Sequence, residues 1–437
     1  MRRSAPYGLD DPGGHMDVER ASELSRFAVG GYAPRRACAP RSVEELTTVL
    51  AAVRERGESV IFFGGGTLQC IGNPPTRYDT AIDLSALNKP IAYEFADLTI
   101  SVQAGMTLAA LQRMLAQHGQ CIPLDAPRPA QSTVGGVLAS AWAGPRRAAY
   151  GRPRDFLIGS SIVLADGTLA HAGGMTVKNV TGYDIGKLYV GSLGTLGALV
   201  RVVFKTLPSP AAQRVALASL PERTRDRAIK HLQTLSVEPT AALIIDGFEN
   251  EIDEGAEGDG RMLLLFEGST QLIERATRDA RSQLGAAGVP GTRLVDRGAI
   301  DVLQRIVDAY IASVGRRSAT YRSAGLCTTL SERLGIFART CRDGNLRLET
   351  ITDLRTGDLI ARVSAATADH LERTVVPFDE TITTRLERVS LLVAPEHLRS
   401  RLDAWAGSCA ALPQIRALKH RFDPDGMLAP GRLVGNI

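Results

Sequence analysis

The chain has 437 residues, 44% of them hydrophobic and 22% charged, with a net charge of +4. These proportions fit a soluble globular protein long enough for two domains, and they exclude a disordered or fibrous chain. Six lysines accompany 45 arginines that are scattered rather than gathered on one element, so no nucleic-acid footprint is expected. The opening "MRRSAPYGLDDPGGHM" has no apolar run of a signal peptide; it reads as part of a leader, 1–34, with Met16 an alternative start. A cytoplasmic protein, meeting a membrane only through partners, is the expectation. Six dispersed cysteines without C-x-x-C or a Cys/His cluster read as free thiols, so no metal site is expected.

The first helix signal is "PRSVEELTTVLAAVRERGES", where Ser42 caps, Glu45 stands three residues on and Gly57 closes. "SVIFFGGG" follows as a buried strand that runs into glycines. "AIDLSAL" and "LTISVQAG" read as short strands, and "TLAALQRMLAQHG" as a helix capped by Thr107 and closed by Gly119. "FLIGSSIVLADGTLAHAGG" is a hairpin turning at Asp166-Gly167. From about residue 211, charged helices ("PERTRDRAIKHLQTL", "TQLIERATRDARSQLGAAG") alternate with strands ("TAALIIDGF", "RMLLLFEGS"). The final "ALKHRFDPDGMLAPGRLVGNI" is turn-rich again, as if returning to the first domain. No internal repeat is visible. The fold class is α+β, divided as 35–210, 211–405 and 406–437.

Three glycine-rich stretches invite one explanation. In "FFGGGTLQ", Gly64, Gly65, Gly66, Thr67 and Leu68 form either a nest of N–H groups for phosphate or a structural tight turn. The stretch lacks the Gly-Lys-Ser/Thr of a P-loop, and Pro74-Pro75 follow where a Rossmann turn needs a helix. In "APRPAQSTVGGVLASAWAGPRRAAYG", Ser132 precedes Thr133, which caps a helix with Gly135 and Gly136 in its first turn. Ala139 keeps that helix thin. This is either a pyrophosphate site at a positive helix end or a small-residue helix packed on a sheet. Arg146 and Arg147 either neutralise phosphate or are solvated at the surface. In "GSLGTLGALVRVVF", glycines lead into an alternating strand whose main chain, at Gly197, Leu199 and Val200, could pair with a flat heterocycle. Together the three suggest one long dinucleotide.

The motifs "GPRR" at 144–147, "KNVTGYD" at 178–184, "GTLG" at 194–197 and the tail "FDPDGMLAPGR" carry a resemblance. The first ~210 residues resemble the FAD-binding domain of the vanillyl-alcohol-oxidase (PCMH-type) superfamily, and within it the FAD-binding subunits of bacterial glycolate oxidase. The resemblance implies a PCMH-type two-subdomain FAD-binding domain, an α+β cap, and a C-terminal tail that returns near the flavin. It places the pyrophosphate at 64–68 and 132–136 and the adenine end at 197–200. It also assigns Gly144, Tyr150, Gly151 and Arg432 to the cofactor site. Lys178 and Asn179 either order their loop or approach the flavin, or are a surface lysine and a structural asparagine.

The chain departs from relatives in several places. The first glycine loop offers no His or Cys for a covalent flavin bond, with Cys70 the only nearby thiol, so non-covalent FAD is expected. The seven histidines form no H-x-x-H-G set like the metal ligands of related D-2-hydroxyacid dehydrogenases. Leu193 stands where those enzymes carry Glu, and Ala429 where Asn is usual. No catalytic residue is singled out. The resemblance implies an FAD-binding redox subunit of a 2-hydroxyacid (glycolate- or D-lactate-like) dehydrogenase. Its partners would be a second FAD-containing oxidase subunit and an iron–sulfur subunit. An autonomous FAD oxidase and a weakly catalytic FAD-binding scaffold are the alternatives.

Overall fold

The computed structural model describes residues 21–176, 184–248, 260–289, 291–312, 315–406 and 409–437. Among the described residues, ten strands precede residue 210: β1 (Arg36–Cys38), β2 (Val60–Phe63), β3 (Thr80–Asp83), β4 (Pro90–Glu94), β5 (Thr99–Gln103), β6 (Gln120–Cys121), β7 (Leu157–Val163), β8 (Leu169–Gly173), β9 (Ala198–Lys205) and β10 (Leu207–Pro208). They form a parallel sheet in the order β1-β3-β2, a five-stranded antiparallel sheet in the order β4-β5-β9-β7-β8, and the small pair β10-β6. The helix Val43–Glu55 starts where Ser42 accepts the N–H of Glu45 at 3.1 Å, and it buries Leu46, Leu50 and Val53. The hairpin β7–β8 turns at Asp166-Gly167, with Gly167 at φ 83°.

The tail rejoins this region. Val60 donates to the carbonyl of Met427 (2.8 Å), and Ala429 donates back to the carbonyl of Val60 (2.7 Å), a parallel bridge beside β2. Met427 and Leu428 sit in the same apolar cluster as Leu46, Leu50 and Val60. Asp423 fixes the turn by accepting the N–H groups of Met427 and Leu428. Lys419 on the helix Leu412–Phe422 reaches Asp423 (2.5 Å) and the carbonyls of Leu428 and Thr195.

Eight more strands make the cap: β11 (Ala212–Leu220), β12 (Ala241–Asp246), β13 (Gly260–Gly268), β14 (Arg293–Val295), β15 (Ser318–Ser323), β16 (Arg347–Asp353), β17 (Leu359–Ser364) and β18 (Val389–Val393). They lie in one sheet, β14-β11-β13-β12-β16-β17-β15-β18. Its halves have the same plan. Each runs strand, helix, two strands, helix, strand, with its fourth strand outside its first, and the halves meet where β12 pairs with β16. The cap is thus a doubled βαββαβ unit, a repeat of backbone that leaves no repeat of residues in the sequence.

One face of this sheet carries helices. Thr270–Ala286 packs on the first half and Leu330–Asp343 with Ala368–Arg385 on the second, each half with its own apolar cluster. The other face, through Leu217, Leu243, Leu263, Ile351 and Ile360, joins Leu111, Val137, Trp142 and Val202 of the first region in a shared core. That shared core sets the cap over the glycine-rich loops.

Candidate cofactor site

The three glycine stretches converge. One cavity, with about 780 Å3 of empty space counting its open mouth, is lined by Gly64 to Gln69, Thr133, Gly135, Gly136, Ala139, Ser140, Ser192 to Gly194, and Gly197 to Leu199. Phe62, Phe63, Leu84, Ala104 and Gly105 complete the walls.

Hydrogen bonding shows what the cavity offers. Among the described residues, no acceptor meets the N–H groups of Gly64, Gly65, Gly66, Thr67 or Leu68. Five consecutive backbone donors without a protein acceptor, in a loop that lines one cavity, make a nest suited to an anion. Arginines hold the carbonyl of Thr67 and those of the residues that follow it. Arg128 donates to Thr67 O (3.2 Å), and Arg399 to the carbonyls of Cys70 (2.8 Å) and Gly72. Arg432 donates to Gln69 O (3.0 Å), Ile71 O (2.7 Å) and Asn73 O (2.9 Å). Burial, with Arg399 nearby, pulls Arg432 down to about 10, so it is still protonated at neutral pH. The N–H groups of Gly64 to Leu68 thus remain without protein acceptors in a loop that lines the cavity.

Close approach explains the glycines behind it. A Cβ on Gly64 would land on the Thr133 hydroxyl, and one on Gly65 on the carbonyl of Gln131. Thr67 and Ser132 tie the two loops through their hydroxyls at 2.6 Å.

The helix Val134–Ala139 plays a different part from a bare positive end. Its first N–H groups are occupied: Val134 donates to Met106 O (2.9 Å), Gly135 to Ala104 O (2.8 Å) and Gly136 to the Thr133 hydroxyl (3.2 Å). A Cβ on Gly135 would stand 2.9 Å from Ala104 Cβ and from its carbonyl, so that glycine serves packing against the end of β5. Gly136 and Ala139 form cavity wall. On the opposite wall, β9 begins at Ala198. Val200 is already engaged, its carbonyl accepting Ala104 N–H at 3.0 Å, and it does not line the cavity.

Other residues assigned by resemblance lie elsewhere. Arg432 supports the loop from behind rather than lining the cavity. Gly144 packs on Asp125, and Gly151 at φ 100° turns the chain beside Asp155. Tyr150 joins a cluster with Arg146 and Glu267, where burial and then Glu267 push its phenol well above the usual range. Lys178 and Asn179 lie outside the described residues. Arg146 and Arg147 neither face phosphate nor stand in solvent. Arg146 pairs with Asp125 (2.7 Å) and Glu267 (3.3 Å), and Arg147 with Asp358 (2.8 Å), which ties this segment to the cap. Arg362 is likewise buried, against Glu349 and the ring of Phe248.

Sequence reasoning passed over Gly105, and it quoted Ser192, Leu193 and Gly194 within the third glycine stretch without assigning them to the site. Gly105 carried a signal, a glycine between an alternating strand and the Thr107 cap; a Cβ there would strike the carbonyls of Leu84 and Leu87.

Comparison with known proteins agrees with this geometry. A family model described as an FAD binding domain matches residues 34–173. The glycolate oxidase subunit GlcD of Bacillus subtilis is 26% identical over 428 residues, covering 92% of this chain and 89% of GlcD. The glycolate oxidase subunit GlcE of Escherichia coli is 29% identical over 238 residues, covering 53% of this chain and 67% of GlcE. Among solved structures, p-cresol methylhydroxylase with substrate bound superposes with a TM-score of 0.75 over 95% of this chain and 93% of that one, at 14% identity, a likeness of fold. The cofactor implied by the 34–173 match also suits the cavity, because a pyrophosphate supplies the acceptors that five N–H groups lack. The chain carries this FAD-binding domain within a PCMH-type fold and is an FAD-dependent oxidoreductase.

Proposed function

We propose that this chain is an FAD-dependent dehydrogenase of 2-hydroxyacids, working as a redox subunit beside a second flavoprotein and an iron–sulfur partner. The observation that carries the reading is the run of N–H groups from Gly64 to Leu68 without acceptors among the described residues, in a loop that lines one cavity of the domain that matches an FAD-binding family. Similarity to GlcD along most of the chain, and to GlcE over half of it, supports the substrate class and the assembly.

When bound, FAD supplies the acceptor for the two electrons that leave a 2-hydroxyacid as it becomes a 2-oxoacid. The chain's own part is to hold and orient. Gly64 to Leu68 would take the pyrophosphate, Gly136 and Ala139 would form the wall beside it, and Gly197 and Leu199 would serve the adenine end. Among the described residues, neither this cavity nor the cleft beyond it is lined by His, Cys or Tyr, and the flavin is proposed to be held without a covalent bond. A second reading, an autonomous dehydrogenase, is favoured by one feature: the residues just past the cofactor wall, Ala141 and Ala143, open into a cleft against the cap.

The test is dye reduction by the purified chain with a panel of 2-hydroxyacids, alone and with a catalytic flavoprotein and an iron–sulfur protein added. The subunit reading expects yellow protein that releases its flavin on acid or heat, slow turnover alone, and faster turnover in the assembly. Full turnover by the isolated chain would favour the autonomous reading. Colourless protein that takes up no FAD would remove both.

A further inference from the structure

The helix Ala299–Ala309 joins the two halves of the cap, after β14 and before β15. Its apolar side, with Val302, Leu303, Ile306 and Ala309, enters the core that the cap sheet shares with the FAD-binding region. Two of its polar side chains, one turn apart, reach from there to the segment that leads into the helix Val134–Ala139. Gln304 donates to Ala126 O (3.0 Å) and to Asp308 Oδ1 (2.9 Å), and the same Asp308 oxygen accepts the backbone N–H of Arg128 at 2.6 Å. The end of the helix is held from the second half of the cap, where Arg362 of β17 donates to Ala309 O at 2.9 Å.

Arg128 has a backbone that its sequence disfavours. Its φ is 48°, although it is not glycine, and Pro129 follows it. A residue before proline prefers extended backbone at negative φ. Such a conformation persists only where the surroundings hold it. The other bonds of Arg128 show what the bend achieves. Its carbonyl accepts the N–H groups of Gln131 and Ser132, each at 2.9 Å, and its guanidinium donates to Thr67 O at 3.2 Å. Ser132 in turn meets the Thr67 hydroxyl at 2.6 Å, and the Gln131 carbonyl is the atom against which Gly65 packs. One residue thus sets the 64–68 loop against the 131–133 turn, while a carboxylate from the cap holds its N–H.

We propose that Asp308 is a positioning residue for FAD: acting through Arg128, it keeps the Gly64–Leu68 loop in the shape that receives the pyrophosphate, so that cofactor retention depends on how the cap is seated. The inference rests on placing the pyrophosphate at this loop. Asp308 does not line the cavity, so its effect passes through one backbone bond and one guanidinium. The coupling is reciprocal: FAD steadies the helix Ala299–Ala309 by as much as that helix steadies FAD.

Release of FAD from the loaded full chain, read by the flavin fluorescence that returns on dilution, tests this. Asp308→Ala should speed release about five- to tenfold, the size of one partly exposed hydrogen bond to a charged acceptor. Asp308→Asn keeps an acceptor oxygen in place and should stay within about threefold of the parent. Arg128→Gly takes the left-handed backbone without strain but loses the bond to Thr67 O, so it should speed release by itself. On that background Asp308→Ala should add less than about twofold, because the strain it restrains is gone. Unchanged release in Asp308→Ala, or the same factor on both backgrounds, overturns the proposal. If Arg128→Gly also leaves release unchanged, the pyrophosphate is not at this loop and the placement fails with it; if Arg128→Gly speeds release and Asp308→Ala does not, the inference alone fails.

Amide hydrogen exchange on the parent needs no variant. FAD loading should slow exchange in Ala299–Ala309 by a larger factor than in Thr270–Ala286, which lies in the outer helical layer. Asp308→Ala should remove that difference. Equal slowing of the two helices in the parent overturns the proposal.

Discussion

Arg432, fully buried near the end of the chain, donates to the carbonyl of Ile71 at 2.7 Å and to those of Gln69 and Asn73 from the same guanidinium. One side chain thereby holds several peptides that follow the Gly64–Leu68 loop, whose N–H groups lack acceptors among the described residues. An ammonium cannot reproduce that fork. Arg432→Lys should weaken FAD binding by about tenfold or more, the equivalent of one lost charged hydrogen bond of about 1.5–3 kcal/mol. Fluorescence titration of the apoprotein with FAD reads this directly. Unchanged affinity in a merely less stable protein would show that the guanidinium supports the fold without ordering the loop.

The two neighbouring glycines of the helix Val134–Ala139 should behave differently. Gly136→Leu projects into the cavity, where its Cβ meets only the Thr133 hydroxyl at 3.2 Å. It should lower the flavin-to-protein ratio while the apoprotein stays within about 1 kcal/mol of the parent. Gly135→Asp drives into Ala104 and buries a carboxylate, so it should lose flavin by unfolding. Circular-dichroism melts beside flavin absorbance separate the two outcomes.

Asp358 joins Arg147 of the FAD-binding region to Arg322 of the cap. Asp358→Asn leaves two guanidinium groups facing each other with no counter-charge and should cost about 3–5 kcal/mol; Arg147→Gln keeps the Arg322 pair and should cost less. Urea denaturation gives both values. Equal losses would mean that the two ion pairs do not share Asp358 energetically.

Asp379 predicts a pH dependence. Burial, with Asp403 and Glu380 adding to it, raises its pKa to about 6 from an ordinary value of 3.8. The folded state thus binds this proton more tightly than the unfolded state, so the group destabilises above about pH 6 and is relieved as pH falls toward 4. Asp379→Asn should therefore stabilise the protein at pH 7.5 by about 1–2 kcal/mol after screening by partial exposure, with the gain vanishing near pH 4. A pH-independent difference in thermal melting would assign the effect to packing instead.

These residues also show what the sequence could reveal. The helix capped by Ser42, the Asp166-Gly167 hairpin and the 64–68 loop were legible because cap, turn and nest chemistry is local. The helix Val134–Ala139 was legible as a helix but not in its role, since the occupancy of its first N–H groups depends on Ala104 and Met106, about 30 residues away. Arg146 and Arg147 were hard to place for the same reason: Arg147 pairs with Asp358 and Arg146 partly with Glu267, both in the cap over 100 residues downstream, although Arg146 also meets Asp125 nearby in the chain. In the second half of the cap, Pro377 inside the helix Ala368–Arg385 masks a helix that tertiary packing sustains through Leu371, Val375, Phe378 and Ile382. The doubled plan was hidden because strand order repeats through backbone pairing, which many side-chain sets satisfy.

The seam where β12 meets β16 has a kinetic consequence. Each half-sheet carries its own helical layer and its own apolar cluster, so one layer can detach without opening the other. Amide hydrogen exchange should accordingly separate Thr270–Ala286 from Ala368–Arg385 into two cooperative groups with distinct opening free energies. The strands at the seam, held from both sides, should exchange last. A mutation that loosens one helical layer would then spread through its own group and stop at that seam.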